Sequence, residues 1–92
     1  MEVHDRPGPE VADDPIIQQM IEVVRSREDS ELAEFADDNG APRTDFAQWV
    51  NEQYKKLSVE QDRQVVSHHM RWAPWVILAK VFPYEMRRLR EL

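Results

Sequence analysis

The stretch WAPWVILAKVF at residues 72–82 constrains the fold more than any other part of this chain. As a helix it is apolar almost all the way round, and such a helix lies at the centre of a bundle or is covered by another molecule. A buried strand is the alternative for so short an apolar run, but the sequence offers no second strand-like segment to pair with it. The stretch therefore predicts an all-α fold. Its uninterrupted apolar part, residues 72–79, is far shorter than the roughly 18 residues that span a bilayer.

Length and composition predict one small soluble domain. The chain has 92 residues, of which 41% are hydrophobic and 33% charged, and it contains no cysteine. Disulfides and thiolate metal sites are therefore excluded. The net charge of -6 argues against direct nucleic-acid binding, which needs surplus Lys and Arg to displace counterions from phosphates. No signal peptide is visible after the first methionine, so we expect a cytoplasmic protein.

The sequence predicts a short N-terminal arm followed by one domain. Residues 1–14 contain two prolines and a glycine without repeating apolar spacing, and they predict a flexible N-terminal arm. Residues 15–92 predict a single domain, a compact bundle of four to six short helices. Asp14 suits the N-cap of the first helix, and Pro15 suits its first position because a missing N–H costs nothing there.

Polar residues after the first helix predict a second, shorter helix that begins near Asp29 or Ser30. One long bent helix from Pro15 to Asp37 is the alternative. Two helices are favoured because acidic residues at positions 28, 29 and 31 suit a new N-terminus. Asn39 and Gly40 then predict a left-handed stop.

The later helices are bounded by caps and prolines. Thr44 predicts the start of a third helix, and the pattern from Ser58 to Gln61 fits a capping box that opens a fourth. Pro74 predicts a break in that fourth helix, and Pro83 predicts another before a last helix. The residues expected to form the core are Phe46, Trp49, Val50, Val66, Met70, Trp75, Leu78 and Phe82.

Charge separates the two parts of the chain. Residues 71–92 carry five basic and two acidic residues, whereas residues 1–70 carry seven basic and sixteen acidic residues. A basic, aromatic C-terminal segment suits a core helix, a partner interface, or a helix on a membrane surface. The residues predicted to bind a partner are Trp72, Trp75, Phe82, Tyr84, Arg87, Arg88 and Arg90.

A cluster of acidic residues predicts a second kind of surface. Fixed negative charge can imitate a nucleic-acid backbone and occupy a basic groove on another protein, although a solvated face is the simpler interpretation. The residues of this predicted acidic face are Glu28, Asp29, Glu31, Glu34, Asp37 and Asp38.

The sequence lacks the usual patterns of catalytic and metal sites. His68 and His69 are neighbours that point about 100° apart on a helix, so they are poorly placed to bind one ion together. One or both are expected near a helix C-terminus, where a positive charge is favoured, or in a contact that responds to pH. Ser67 does not face His68. We therefore expect no enzyme activity, no cofactor and no metal.

These observations favour a small, acidic, non-enzymatic interaction module, an accessory or regulatory subunit that acts through its C-terminal segment. Its partner is expected to be another protein or a second copy in a homodimer. The first alternative is an acidic mimic or inhibitor that occupies a basic groove of a DNA- or RNA-binding protein. Peripheral membrane attachment through the C-terminal helix is the third hypothesis, and it has less support.

Overall fold

The protein is a bundle of short helices, as the sequence predicts. The computed structural model describes residues 9–27, 29–59 and 61–91, which contain five α-helices and one 3-10 turn but no extended strand. The Cα radius of gyration is 13.1 Å, close to the value of about 12 Å for a compact domain of this length. The helices are α1 (Pro9–Ala12), α2 (Pro15–Arg25), α3 (Thr44–Leu57), α4 (Arg63–Val81) and α5 (Pro83–Glu91).

Helix α4 is the centre of the bundle, because it contacts each of the other four helices. Ala73, Ile77 and Leu78 on this helix are fully buried, with 0% of their surface exposed. The end of α2 also reaches α4, where Arg25 donates a hydrogen bond to the carbonyl of Lys80 at 3.2 Å. The central position expected for the apolar C-terminal stretch is confirmed.

The break predicted at Pro74 is wrong, because α4 continues through it from Arg63 to Val81. A proline inside a helix loses one hydrogen bond and costs about 3 kcal/mol. Burial of each large apolar side chain contributes about 1.5–3 kcal/mol, so Ile77 and Leu78 together are sufficient to offset that cost. Pro83 does end the helix, and it stands at the first position of α5.

The start predicted for the fourth helix at Ser58 is also wrong. Ser58 instead ends α3, where its backbone N–H donates to the carbonyl of Tyr54 at 3.0 Å. Helix α4 begins five residues later with Asp62 as N-cap, whose carboxylate accepts from the N–H of Gln64 at 2.8 Å. Both sites carry capping residues, and the sequence pattern alone did not distinguish them.

Part of the predicted N-terminal arm is folded. Residues 1–8 lie outside the described residues, but residues 9–12 form α1, which packs against α2 and α4. Val11 is the anchor, because its side chain is 0% exposed within the core. One isolated apolar residue has no periodicity, and the sequence pattern therefore gave no sign of this helix.

The segment between α2 and α3 contains a 3-10 turn in place of the second helix predicted there. Helix α2 ends at Arg25, so two separate elements are confirmed and one long helix is excluded. The turn covers Leu32–Glu34, and an isolated bridge between Ala36 and Pro42 then reverses the chain.

Gly40 occupies the left-handed stop that the sequence predicts in this reversal, with φ +82°. A Cβ atom at this position would also approach Leu89 Cδ1 to 3.2 Å, so the site favours glycine for its conformation and for its space.

Most of the expected core residues are inside the protein. Four are buried and three more pack partly buried against the core, but Trp75 is 38% exposed and its assignment to the core is wrong. Trp75 shares the outward face of α4 with exposed His68, Arg71 and Ala79, which lie seven or four residues away along the helix. The buried members are Phe46, Val50, Leu78 and Phe82, and the partly buried ones are Trp49, Val66 and Met70.

Two alanine substitutions on α4 test this assignment of faces. Leu78→Ala removes a fully buried side chain, and we expect it to lower the free energy of unfolding by about 3–4 kcal/mol. Trp75→Ala is expected to cost less, about 2 kcal/mol, because solvent fills the space that the partly exposed ring leaves and no closed cavity remains. Urea unfolding of both variants measures the difference, and equal losses would contradict the outward position of Trp75.

Candidate functional site

A buried carboxylate joins three helices of the bundle. Asp14 is the N-cap of α2, and its Oδ1 accepts a hydrogen bond from the N–H of Ile16 at 2.8 Å. Its Oδ2 accepts the hydroxyl of Tyr54 from α3 and lies 2.7 Å from Nδ1 of His69 on α4. Asp14 is only 5% exposed, and both of its oxygens have partners, as a buried carboxylate requires.

The carboxylate determines which ring nitrogen of His69 carries hydrogen. An ionised carboxylate only accepts hydrogen bonds, so Nδ1 of His69 is the donor in this contact. The same arrangement orients the histidine in catalytic Asp–His pairs and leaves Nε2 directed elsewhere. The side chain of His69 is 11% exposed, however, so its ring has little contact with solvent. The network therefore acts first as a link between α2, α3 and α4.

Electrostatics stabilise the ionised form of Asp14. Burial raises the pKa of this carboxyl, but hydrogen bonds from Tyr54, His69 and the N–H of Ile16 outweigh it, and the pKa falls below its usual value. Burial, together with the hydrogen bond to Asp14 and its negative charge, raises the pKa of the Tyr54 phenol above its ordinary range. The tyrosine consequently remains a hydrogen-bond donor at every physiological pH.

The two histidines do not lie near a helix C-terminus, and that prediction is wrong. Both lie in the N-terminal half of α4, and they contact different groups. His69 binds Asp14, whereas Nε2 of the more exposed His68 lies 3.8 Å from the carboxylate of Glu10 on α1. Their rings meet edge to face, with 5.9 Å between centroids.

The buried network was missed because its members are far apart in the chain. Asp14 was recognised as a cap, but its other two partners are 40 and 55 residues away. Tyr54 lies four residues after buried Val50, and His69 lies four residues before buried Ala73. A polar residue on an apolar helix face needs a hydrogen-bond partner once that face is buried. Tyr54 and His69 both meet this condition, and it is the signal of the network that the sequence contains.

The aromatic residues predicted to bind a partner differ widely in their exposure. Tyr84 on α5 is 76% exposed and Trp75 is 38% exposed, whereas Trp72 is partly buried. Trp72 Nε1 is buried and has no hydrogen-bond partner among the described residues. Phe82 is 8% exposed and its ring centroid lies 5.9 Å from that of Phe35, so the structure places this predicted partner-binding residue in the core.

The predicted basic residues lie on the last helix. Arg87 and Arg88 are exposed on α5, and the side chain of Arg90 lies outside the described residues. A further arginine, Arg71, stands on α4 with its guanidinium carbon 5.4 Å from the centre of the Trp72 ring. This contact is within the range of a cation–π interaction.

A groove lies beside Trp75 where three parts of the chain meet. Its volume is about 420 Å³, within the range of ligand and peptide pockets. Arg71 is the only charged residue among its described lining residues. The lining residues are Ala41, Pro42, Ala47, Asn51, Ser67, Met70, Arg71, Pro74 and Trp75.

The predicted acidic face is exposed, except that Glu28 lies outside the described residues. Three of its carboxylates accept hydrogen bonds from backbone N–H groups nearby in the chain. Glu31 and Glu34 cap the 3-10 turn reciprocally, and Asp37 Oδ1 accepts from the N–H groups of Asn39 and Ala41. The other two exposed members are Asp29 and Asp38.

Comparison with protein-family models, with curated proteins and with solved structures finds no match to this chain. The described helices include none with the length and apolarity needed to cross a membrane. Within the same part of the chain, no three His, Asp or Glu side chains are grouped as a metal site would require. The protein is thus defined by its own structure as a small all-α bundle with a buried Asp–Tyr–His network and a tryptophan-lined groove.

The substitution Asp14→Asn tests the buried network, with exposed Asp13→Asn as its matched control. Asparagine caps a helix as well as aspartate, so the expected loss of about 2–3 kcal/mol reports on the contacts with Tyr54 and His69. The folded-state pKa of Asp14 is lowered, so its ionisation stabilises the wild type above about pH 4, the usual pKa in unfolded chains. This stabilisation disappears as pH falls through the folded-state pKa.

Urea unfolding at a series of pH values between 2 and 7 measures both effects. Asp13→Asn should retain the acid-induced loss of stability, and Asp14→Asn should show a smaller one. Identical pH curves for the two variants would contradict the ionised state of Asp14.

Proposed function

We propose that this protein is a non-enzymatic protein–protein interaction module that docks on a partner through the groove beside Trp75. The observation that carries the proposal is the exposure of Trp75 on the central helix. Its neighbours Val76, Ile77 and Leu78 are all buried, yet the ring of Trp75 remains 38% exposed. Tryptophan is among the residues that contribute most to binding energy at protein interfaces.

The free energy available from Trp75 is substantial for so small a protein. A tryptophan buries about 150–250 Å² when fully covered, so roughly 80 Å² remains to be covered by a partner. That area contributes about 2 kcal/mol at the usual coefficient for apolar burial. Partly buried Met70 continues the apolar lining of the groove on the same helix, and partly buried Pro42 continues it from the connector before α3.

Polar groups around the groove indicate the chemistry of the partner. Arg71 supplies a cation, and Asn51 and Ser67 supply hydrogen-bonding groups on the two opposing helices. A guanidinium forms its strongest hydrogen bonds with carboxylates. The proposed occupant is therefore a segment of another protein that inserts an apolar side chain and places an Asp or Glu near Arg71.

The absence of an enzymatic role is part of this proposal. His69 is the side chain most typical of a catalytic site. Its ring is held in the helix-linking network, however, and does not line the groove beside Trp75. The acidic mimic remains the alternative prediction: its five described carboxylates are exposed, and nothing among the described residues favours it over a solvated face.

Affinity capture from the native host tests the proposal, with wild type, Trp75→Ala and Val65→Ala as baits. Val65 is a matched control because it is 46% exposed on the same helix, ten residues from Trp75 and outside the groove. We expect one or more proteins to be retained by wild type and Val65→Ala and lost with Trp75→Ala. Circular dichroism of each bait verifies that it is folded.

Two results would contradict this function. One is retention of the same proteins by all three baits, and the other is no specific retention by any of them. Sedimentation velocity at micromolar concentration tests whether the partner is a second copy: a dimer that Trp75→Ala abolishes would identify self-association through this groove.

A further inference from the structure

We propose that a second groove, between α2 and α3, binds a segment of a different protein that presents an apolar side chain flanked by Lys or Arg. We call it the aromatic groove. It has a volume of about 570 Å³ and shares no described lining residue with the groove beside Trp75. Its lining residues are Val23, Val24, Arg27, Glu34, Phe35, Asp45, Phe46 and Trp49.

The floor of the aromatic groove is a rigid set of three rings. Phe35 and Phe46 are 5% and 6% exposed, and their ring centroids are 5.1 Å apart. Trp49 stacks on Phe46 with 6.2 Å between centroids and 20° between ring planes. Because two of the rings are fixed in the core, little side-chain entropy is lost when a ligand covers them.

One wall of the groove is an exposed apolar residue. Val23 on α2 is 50% exposed, although the adjacent Val24 is buried at 2% exposure. A β-branched side chain has little freedom at χ1 in a helix, so Val23 presents a fixed methyl surface to the groove. The floor and this wall together suit a bulky apolar side chain.

The charges at the rim favour a cationic ligand. Glu34 and Asp45 face the groove together with one base, Arg27. Glu34 Oε2 accepts the N–H of Glu31 at 2.7 Å, and Asp45 Oδ1 accepts the N–H of Phe46 at 2.9 Å. Each carboxylate is thereby held in place and retains acceptor capacity for a ligand, since an ionised carboxylate has about four acceptor sites.

The surroundings increase this preference. Four exposed carboxylates belong to the short segment at residues 31–38, and one described base, Arg43, contacts it through the carbonyl of Ala33, so acidic groups are in excess on this side of the groove. An ammonium or guanidinium group can also lie over the face of Trp49 and gain cation–π attraction. A segment with Lys or Arg beside its apolar anchor complements both features, and a segment with Asp or Glu there complements neither.

Two small probes that differ in charge test the inference. Tryptamine and indole-3-propionate carry the same ring, but the first has an ammonium group and the second a carboxylate. In proton–nitrogen NMR titrations of the full chain, we expect tryptamine to shift the amides of residues 23–27, 34–35 and 45–49. Its affinity should exceed that of indole-3-propionate by about five- to tenfold, as one or two exposed ion pairs provide.

Charge variants identify the source of the preference. The double variant Glu34→Gln and Asp45→Asn keeps both capping acceptors and should lose the preference for tryptamine, because an arginine is then the only charged residue among the described lining residues of the groove. Asp13→Asn with Glu85→Gln removes the same net charge from exposed sites before α2 and on α5, outside the groove, and should retain the preference. Val23→Ser should weaken the binding of both probes, because it removes part of the apolar wall.

Several outcomes would overturn the inference. The first is that neither probe shifts the amide signals of the groove. The second is equal binding of both probes to the wild type, and the third is loss of the preference for tryptamine in the control double variant. Trp75→Ala should leave tryptamine binding unchanged, so the failure of one groove is distinguishable from the failure of the other.

A second copy is the rival occupant, because exposed Tyr84 and Arg88 on α5 have the same chemistry as the proposed segment. Sedimentation velocity tests this alternative with three proteins. They are the wild type, the double variant Tyr84→Ser with Arg88→Glu, and the double variant Glu34→Gln with Asp45→Asn. Self-association that both double variants abolish would identify a second copy and overturn the proposal of a different protein. A wild-type monomer that still distinguishes the two probes would support the proposal.

Discussion

The burial of helix α4 is the constraint on which the rest of the structure depends. A helix that is apolar on most of its faces has to be covered, and a chain of 92 residues has few elements available for that task. The four other helices therefore pack against α4 from several sides. The outward face that contains Trp75 is the part they leave partly uncovered, and the proposed docking surface follows from that incomplete coverage.

The polar network complements this apolar packing. Apolar contacts have little directional preference, whereas hydrogen bonds to a buried carboxylate require their donors at defined positions. Asp14 receives donors from Tyr54 and His69, so the N-terminus of α2 is held against α3 and α4 in one arrangement. The two grooves lie between elements whose relative positions this network helps to determine. A catalytic interpretation of His69 is therefore not needed to explain its environment.

The two grooves differ in charge, and this difference bears on which segment each of the two proposals assigns to its groove. Arg71 stands at the groove beside Trp75, while Glu34 and Asp45 stand at the aromatic groove with one arginine. Each groove combines an aromatic surface with its own charge, so the two would select different segments. If both proposals hold, a small chain without a catalytic role would connect two partners.

Local chemistry in the sequence determined the helical class, the N-cap of α2 at Asp14 and Pro15, the left-handed turn at Gly40 and the end of α4 before Pro83. These features depend on residues close together in the chain, where backbone sterics and capping act. Tertiary structure decided what depends on distant contacts: the continuity of α4 through Pro74, the fold of residues 9–12 around Val11, the exposure of Trp75, and the partners of Asp14. Burial of apolar surface and pairing of buried polar groups involve residues tens of positions apart, and their free energies outweigh local preferences of about 1–3 kcal/mol.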